Sequence, residues 1–281
     1  MTASPKSALP IRTVAVCYHV APARFVERLH AIAASVGRSL EGVVVDNRHG
    51  SAAPLQSGEL QLLRGSNRHL DFSGYFEGLQ RLHGGGADVG AVDNVLFLND
   101  SLLTSHAGST ILRRVLALDG LLTQLQVPAG AGKLDPYRSI CLRNPWSAHE
   151  SYLSTFCFLL NGLAQPILRR LEIDAEHDGV LAEAPLDDSS WGKSLHPLTR
   201  DYIRAHLVYD RSPYRWKGAE EADPELIRAK ARCVYFEHRL SGALGLEGAL
   251  VPINAGPRSR AAVASAEVAA RLFRAVKGGV A

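Results

Sequence analysis

Cysteine is scarce in this chain of 281 residues, and the few thiols lie far apart. Cys17, Cys141, Cys157 and Cys233 form no C-x-x-C pair, and each lies in an apolar run. This pattern predicts buried, reduced thiols and argues against a zinc site. The sequence also lacks a run of about 20 apolar residues and an apolar signal core, so we expect a cytoplasmic protein without a transmembrane segment.

Neither sign of charge dominates the composition. The 31 Lys and Arg residues nearly balance the 28 Asp and Glu residues, and no basic stripe is present. We therefore expect no nucleic-acid partner. A hydrophobic content of 46% is enough for a packed core, and we expect one domain spanning residues 1–281.

The first half alternates short β-rich runs with helical patterns, which is typical of a mostly parallel sheet flanked by helices. Apolar residues at helical spacing predict helices over 22–37 and 72–82. Strands are expected at 11–18, 42–46, 60–63 and 94–100.

The second half is less regular. The patterns predict strands at 137–142 and 152–160, helices at 163–171, 198–207, from 224 onward and at 260–276, and a surface loop at 172–190. The run from Gly130 to Lys133 lacks the spacing of a phosphate-binding P-loop and has no predicted strand before it. We therefore expect no ATP site there.

Polar residues follow three of the predicted strands. Parallel strands bring their carboxyl ends to one edge of a sheet, so Tyr18, Asp46 and the Asn99-Asp100 tip are expected to meet in one crevice. Asp100 is a candidate ligand for a divalent metal ion bound to phosphates, although capping of the next helix explains it equally simply. Asp46 either accepts hydrogen bonds from a nucleoside or forms a turn.

Other polar residues form a second set of candidates. Asn67, Asp71 and Ser73 precede or begin a predicted helix, a position suited to binding an anion. Glu237 lies between aromatic residues on a helix, where burial favours a general base, while an ion pair with Arg239 or a nearby lysine is the structural alternative. Residues suited to hydrogen bonding and stacking on a sugar, or alternatively to anchoring the core, are His149, Glu150, Ser151, Tyr152 and Trp191.

Four segments, in order, resemble motifs of the rhamnan synthesis protein F family, which is similar to glycosyltransferase family 2. They are Asn67 with DFSGYFEGL at 71–79, which resembles N…DF-x-x-Y-x-x-GL; FLNDS at 97–101; ESYL at 150–153, which resembles QSYF; and FEHRLS at 236–241 with Gly245, which resembles YEVGLS followed by a glycine. The sequence departs from the family at Glu150, where Gln is usual, and at His238-Arg239, where the family has a small neutral pair.

The resemblance implies a GT-A-type fold, with residues 11–130 binding the nucleotide sugar and residues 131–281 binding the acceptor. It implies transfer of a sugar, for example a deoxyhexose such as rhamnose, from a nucleotide-diphospho-sugar to a surface polysaccharide or lipid-linked glycan, at the cytoplasmic face of the membrane or free in the cytoplasm. Glu237 would be the base of an inverting reaction, and Asp100 would anchor Mg²⁺ or Mn²⁺. The donor site would comprise Tyr18, His19, Asp46, Asn67, Asp71, Ser73, Gly74, Tyr75 and Asn99.

Three alternatives stay open at this point. The same fold supports a retaining transferase in which Glu237 is structural. A Rossmann-type methyltransferase uses a similar crevice, but its glycine-rich first loop is replaced here by residues 18–22. A non-catalytic sugar-binding module is the third. The enzymatic prediction requires Asp46, Asp100 and Glu237 to face one rim of the sheet.

Overall fold

A computed structural model describes residues 9–48, 60–84, 93–104, 107–137, 144–208 and 216–253. The helix expected at 260–276, most of the strand expected at 137–142, and Cys141 lie outside these ranges. The three cysteines within the ranges, Cys17, Cys157 and Cys233, are buried and free, as expected.

Seven strands form one sheet in the order β3-β2-β1-β4-β6-β5-β7. All run parallel except β6, which is antiparallel to both of its neighbours. The strands are β1 Ile11–Cys17, β2 Leu40–Asp46, β3 Leu60–Arg64, β4 Val95–Asn99, β5 Ala129–Pro136, β6 Ser151–Leu160 and β7 Ala249–Pro252. The expected α/β class with a mostly parallel sheet is confirmed.

Helices cover both faces of the sheet. They are α1 Pro22–Ala34, α2 Asp71–Leu82, α3 Ser101–Thr104, α4 Gly108–Ala117, α5 Asp119–Gln124, α6 Gln165–His177, α7 Pro197–Leu207 and α8 Pro224–Glu247, with short 3-10 turns at Gly162–Ala164 and Lys217–Glu220. The core on one face includes residues of α2, α6, α7 and α8, and the core on the other includes residues of α1, α3, α4 and α5. None of these helices is both long and apolar enough to cross a bilayer.

The two cores follow from the alternation of side chains along each strand. In β1, Val14 and Val16 belong to the core under α2 and α8, whereas Ala15 and Cys17 belong to the core under α1 and α4. Both sets are fully buried, which explains why the strand reads as a continuous apolar run.

Helix α2 packs unusually close to β1 through two glycines one turn apart. A Cβ atom on Gly74 would lie 2.6 Å from a methyl group of Val16, and one on Gly78 would lie 2.3 Å from a methyl group of Val14. No larger residue fits at either position, so the close packing brings the start of α2 against the end of β1.

Two expectations for the second half are corrected. The glycine-rich run from Gly130 to Lys133 is part of strand β5, because β6 and β7 supply hydrogen bonds on both sides of it. Residues 172–177 continue helix α6 instead of forming a loop, because Leu171 and Ala175 are buried on one face of the helix while Ile173 and Glu176 are exposed on other faces. The helix ends before Gly179, whose φ of 74° is left-handed.

Candidate functional site

The carboxyl ends of β1, β2 and β4 meet at one rim of the sheet. Cys17 pairs with Asp46 and Val16 pairs with Asn99, so Tyr18, Asp46 and Asp100 follow strands that end side by side. The residues that follow these three strands therefore meet at one rim of the sheet, as predicted, and we call this rim region the crevice.

The Asp100 carboxylate holds the loop between β1 and α1 by hydrogen bonds to its backbone. Its Oδ2 atom accepts hydrogen bonds from the backbone N–H groups of Tyr18, His19 and Val20 at 2.8, 2.6 and 2.8 Å. The side chain is fully buried, and its Oδ1 atom makes no hydrogen bond. These three backbone N–H groups are therefore bound to a carboxylate of the protein itself and are not free to bind a phosphate.

The Asp46 carboxylate is also hydrogen-bonded within the protein, to the side chain of Arg48. Arg48 donates from Nε to Oδ1 and from Nη2 to Oδ2, each at 2.8 Å. Burial opposes ionisation, but the hydrogen bonds of Arg48 hold the pKa of Asp46 below its ordinary value. A nucleoside could use only the lone pairs that Arg48 leaves free.

Asp71, the first residue of α2, also contributes a carboxylate to the crevice, and the residue as a whole is half-buried. Burial raises its pKa to about 6, Lys230 opposes the shift, and the nearby Asp100 carboxylate adds to it. The side chains of Asn99 and Tyr18 face Asp71 and favour its ionised form. Tyr18 is held in place by Asn47, which donates to its hydroxyl at 2.8 Å.

Glu237 reaches the same rim from helix α8. Its Oε1 atom accepts hydrogen bonds from the N–H and hydroxyl of Thr155, both at 3.0 Å. The antiparallel register pairs Leu98 with Cys157, and continuing it by two residues places Thr155 opposite Asp100. Glu237 therefore lies near the carboxyl end of β4, on the side where β6 begins.

Lys230 connects these carboxylates and was not identified from the sequence. It lies two helical turns before Glu237, and its ammonium group interacts with both Asp71 and Glu237. Cys233, one turn along the same helix face, lies against the backbone N–H of Asp71, and burial raises its pKa to about 12, so the thiol stays protonated. The spacing of 230, 233 and 237 on one helix face was the signal that could have revealed this group.

Burial raises the pKa of Glu237, while the Thr155 hydrogen bonds and Lys230 lower it in part. Arg239 does not contribute. Its guanidinium points away, bonded to Asp174 at 2.9 Å and 5.2 Å from the centre of the Trp146 ring. An ion pair between Glu237 and Arg239 is therefore wrong, whereas the other partner of that alternative, a nearby lysine, is present as Lys230.

Three of the candidate residues are structural. Tyr75 is fully buried, donates to the carbonyl of Thr155 at 2.7 Å and packs edge-on to Phe97, so it cannot contact a donor. Gly74 serves the packing of α2 on β1. Trp191 is fully buried in the core and offers no ring face to a sugar. The predictions that these three residues contact a ligand are therefore corrected. Aromatic and small residues are typical of a packed core as well as of a binding site, so the sequence did not distinguish the two roles.

Two further candidates, Ser73 and Asn67, lie in the first turn of α2 and in the segment before it. Ser73 accepts from His69 N–H at 3.1 Å and donates to Leu70 C=O at 2.8 Å, so it orders the loop before α2. Asn67 has a left-handed φ of 56°, and its Oδ1 is buried without a hydrogen bond.

The proposed acceptor residues, 149–152, lie beside helix α8, with Tyr152 near His238 and His149 near Gly245. Tyr152 lies near Glu237 and against the ring of His238, with ring centres 4.8 Å apart. Exposed His149 and Glu150 and half-buried Ser151 lie further out, where the His149 ring is so close to Gly245 that a Cβ there would be 2.4 Å from it. Of the four, Tyr152 is the one placed beside the charged group.

The crevice holds more negative than positive side chains. The ammonium of Lys230 interacts with Asp71 and Glu237, Asp100 lies near Asp71, and burial of Asp71 and Glu237 makes their ionisation costly. The described ranges contain no group of three His, Cys, Asp or Glu side chains arranged to hold a metal ion alone. The donor set still fits an ion that takes most of its ligands from substrate phosphates, since Mg²⁺ needs only one or two carboxylates.

Comparison with family models, with curated proteins and with solved structures gives no match to this chain.

Proposed function

We propose that this protein is a glycosyltransferase that moves a sugar from a nucleotide-diphospho-sugar to a hydroxyl group of a glycan. The observation that carries the proposal is the meeting of Asp71, Lys230 and Glu237 at the carboxyl ends of β1 and β4. Such a group combines a carboxylate able to accept a proton with charges able to position a diphosphate.

The sheet supports a GT-A-type assignment. Its order, with β6 as the one antiparallel strand among the seven described, agrees with the GT-A architecture that the motif resemblance implies. This argument is an analogy at the level of fold, and the function depends on the crevice.

On the donor side, Tyr18, Asn99 and Asp71 form the wall that would receive the nucleotide diphosphate. Lys230 is the cation of this wall, and its interaction with Asp71 keeps it charged. Asp71 and the unpaired Oδ1 of Asp100 would hold a divalent ion, which when bound offsets the charge that develops on the leaving diphosphate.

On the acceptor side, Glu237 accepts the proton. The acceptor oxygen attacks the anomeric carbon as the bond from that carbon to the diphosphate oxygen breaks, the proton passes to Glu237, and the configuration inverts. Thr155 fixes the orientation of the carboxylate, and burial raises its affinity for a proton. Tyr152, which lies near Glu237, would contact the incoming sugar.

The proposal is tested with Glu237→Gln, which keeps the size of the side chain and an oxygen for Thr155. We expect a decrease in transfer rate of about 10²- to 10⁴-fold with little change in donor binding. The donor is first identified by screening nucleoside diphosphates, with and without Mn²⁺, for a rise in melting temperature, because binding to the folded state alone stabilises it.

The matched control is Glu247→Gln, the same change on the same helix, where the side chain pairs with Arg170 far from the crevice. It should transfer sugar at the wild-type rate. Normal transfer by Glu237→Gln would remove the base, and a product with retained anomeric configuration by NMR would favour the retaining alternative. Failure of every nucleotide to stabilise the protein would contradict the proposal.

A further inference from the structure

A pocket of about 370 Å³ lies next to the crevice residues. It opens between the segment before α2 and the first turns of α8. Leu70 and Ala229 line it, and each is the chain neighbour of a crevice residue, Asp71 and Lys230. The pocket walls also carry three arginines, Arg68, Arg228 and Arg232, beside three acidic residues, Glu183, Asp223 and Glu225.

Two of these arginines are held in a fixed arrangement. Arg228 and Arg232 lie one turn apart on α8, so their side chains share a face of the helix. Arg232 donates from Nη2 to the carbonyl of Leu181 at 3.2 Å, which orients its guanidinium. Their side chains are 21% and 11% exposed, so both charges are largely withdrawn from water.

One carboxylate bridges the pair from outside. Glu183 places Oε1 3.1 Å from Arg232 Nη2 and Oε2 3.6 Å from Arg228 Nε, although 79% of its side chain is exposed. Exposed ion pairs of this kind contribute little to stability, so the carboxylate is easily displaced. Its two oxygens mark the position that another oxyanion would occupy between the guanidinium groups.

Several polar atoms of the pocket are not satisfied by this arrangement. The Nε atoms of Arg228 and Arg232 and the Oδ1 atom of Asn67 are buried and form no hydrogen bond. Of the other acidic residues in the wall, Asp223 is engaged in capping α8, accepting from Leu226 N–H at 2.8 Å, and Glu225 is exposed. Buried polar groups without partners require an explanation, and a ligand that carries acceptor oxygens supplies one for the two arginines.

We propose that this pocket binds the oxyanion group of a ligand, a phosphate or a carboxylate, which displaces Glu183 from Arg228 and Arg232. Guanidinium groups bind both kinds of oxyanion through paired hydrogen bonds. The inference does not depend on sugar transfer, because binding can be measured on the protein without any donor or acceptor.

The test is titration of the full chain with inorganic phosphate and, separately, with glucuronate, followed by calorimetry and by the NMR signals of the arginine Nε–H groups. We expect saturable binding, weakened about tenfold or more when Arg228→Gln and Arg232→Gln are combined. Glu183→Gln should strengthen binding several-fold, because it removes the competing negative charge. Arg24→Gln, an equal loss of charge at an exposed position on α1, should leave the affinity unchanged.

The two anions distinguish the source of the oxyanion. Binding of phosphate alone indicates a phosphorylated ligand, and binding of glucuronate alone indicates an acidic sugar. The proposal is overturned if neither anion binds to the wild-type or Glu183→Gln protein, if the double arginine variant binds as tightly as wild type, or if Glu183→Gln weakens binding. Because Glu183 lies at the surface, its variant should fold normally even if the double variant does not.

Discussion

At the scale of single residues, Asp71 is the group whose protonation is most open to measurement. Burial raises its pKa to about 6 in the folded protein, compared with 3.8 for an ordinary aspartate. Between these values the unfolded chain loses the proton before the folded protein does. Ionisation of Asp71 therefore lowers stability as the pH rises, and the loss is complete above the folded pKa.

We predict that Asp71→Asn becomes more stable relative to wild type as the pH is raised from about 4 to 7, by about 2 to 3 kcal/mol, since a shift of one pKa unit corresponds to about 1.4 kcal/mol. Urea unfolding of both proteins at several pH values measures the difference.

Asp188→Asn serves as the control for this comparison. Its hydrogen bond from the N–H of Ser190, at 2.7 Å, holds the pKa of Asp188 below its ordinary value. Above about pH 5 Asp188 is therefore ionised in both states, and its variant should differ from wild type by an amount that changes little between about pH 5 and 7. A stability difference for Asp71→Asn that does not vary with pH would contradict the raised pKa.

The sequence indicated part of the crevice correctly. The strand ends placed Tyr18, Asp46 and Asp100 together, because parallel strands share the direction of their carboxyl ends. Lys230 escaped notice because a lysine on a long helix is usually solvated, and only the fold shows that it faces Asp71. Trp191 was misassigned because an aromatic residue near a loop is equally suited to a sugar and to the core.

At the scale of elements, the contact of α2 with β1 depends on the absence of side chains at two positions. Gly74 is buried in α2, and the nearest atoms to an added Cβ are the two methyl groups of Val16, at 2.6 and 2.8 Å. The valine belongs to a fully buried strand and has little room to move.

We predict that Gly74→Ala lowers the free energy of unfolding by about 1 to 3 kcal/mol, because overpacking outweighs the better helix propensity of alanine. Urea denaturation measures the change. Gly120→Ala is the matched control, since it lies in helix α5 with nothing within 4 Å of an added Cβ. The control should be neutral or slightly stabilising, and equal effects at the two sites would argue against the close packing.

The secondary-structure predictions were correct for elements with a strong side-chain pattern. They failed for elements whose conformation depends on pairing with neighbouring strands. The four strands of the first half were located because each is a short apolar run bounded by turns. Strand β5 was missed because Gly130 and Gly132 have low strand propensity, and its position is determined by pairing with β6 and β7. The small residues are required there, since a Cβ on Gly132 would lie 2.8 Å from Leu153.

At the scale of the whole molecule, the sheet crosses the boundary expected between a donor half and an acceptor half. Strand β6 lies between β4 and β5, so residues from both halves exchange backbone hydrogen bonds along its length. The two apolar cores lie on opposite faces of this sheet and share its strands.

We therefore predict one cooperative unfolding transition for both faces. Leu79→Ala in one core and Leu112→Ala in the other should each lower the free energy of unfolding by about 2 to 5 kcal/mol, the usual range for buried leucines. Far-ultraviolet circular dichroism and tryptophan fluorescence should report the same midpoint in each variant. Two separated transitions would show that the two cores unfold independently.

The hydrogen bonding of Asp100 affects how any variant of this residue must be interpreted. Three consecutive amides of the β1–α1 loop converge on one oxygen atom, so replacing the carboxylate by alanine releases all three together. Asparagine has only one oxygen to offer and adds two donors close to those amides. An inactive Asp100 variant would therefore report the order of the loop as much as any contact with a metal ion, and the more accessible Asp71 is the better position at which to separate chemistry from architecture.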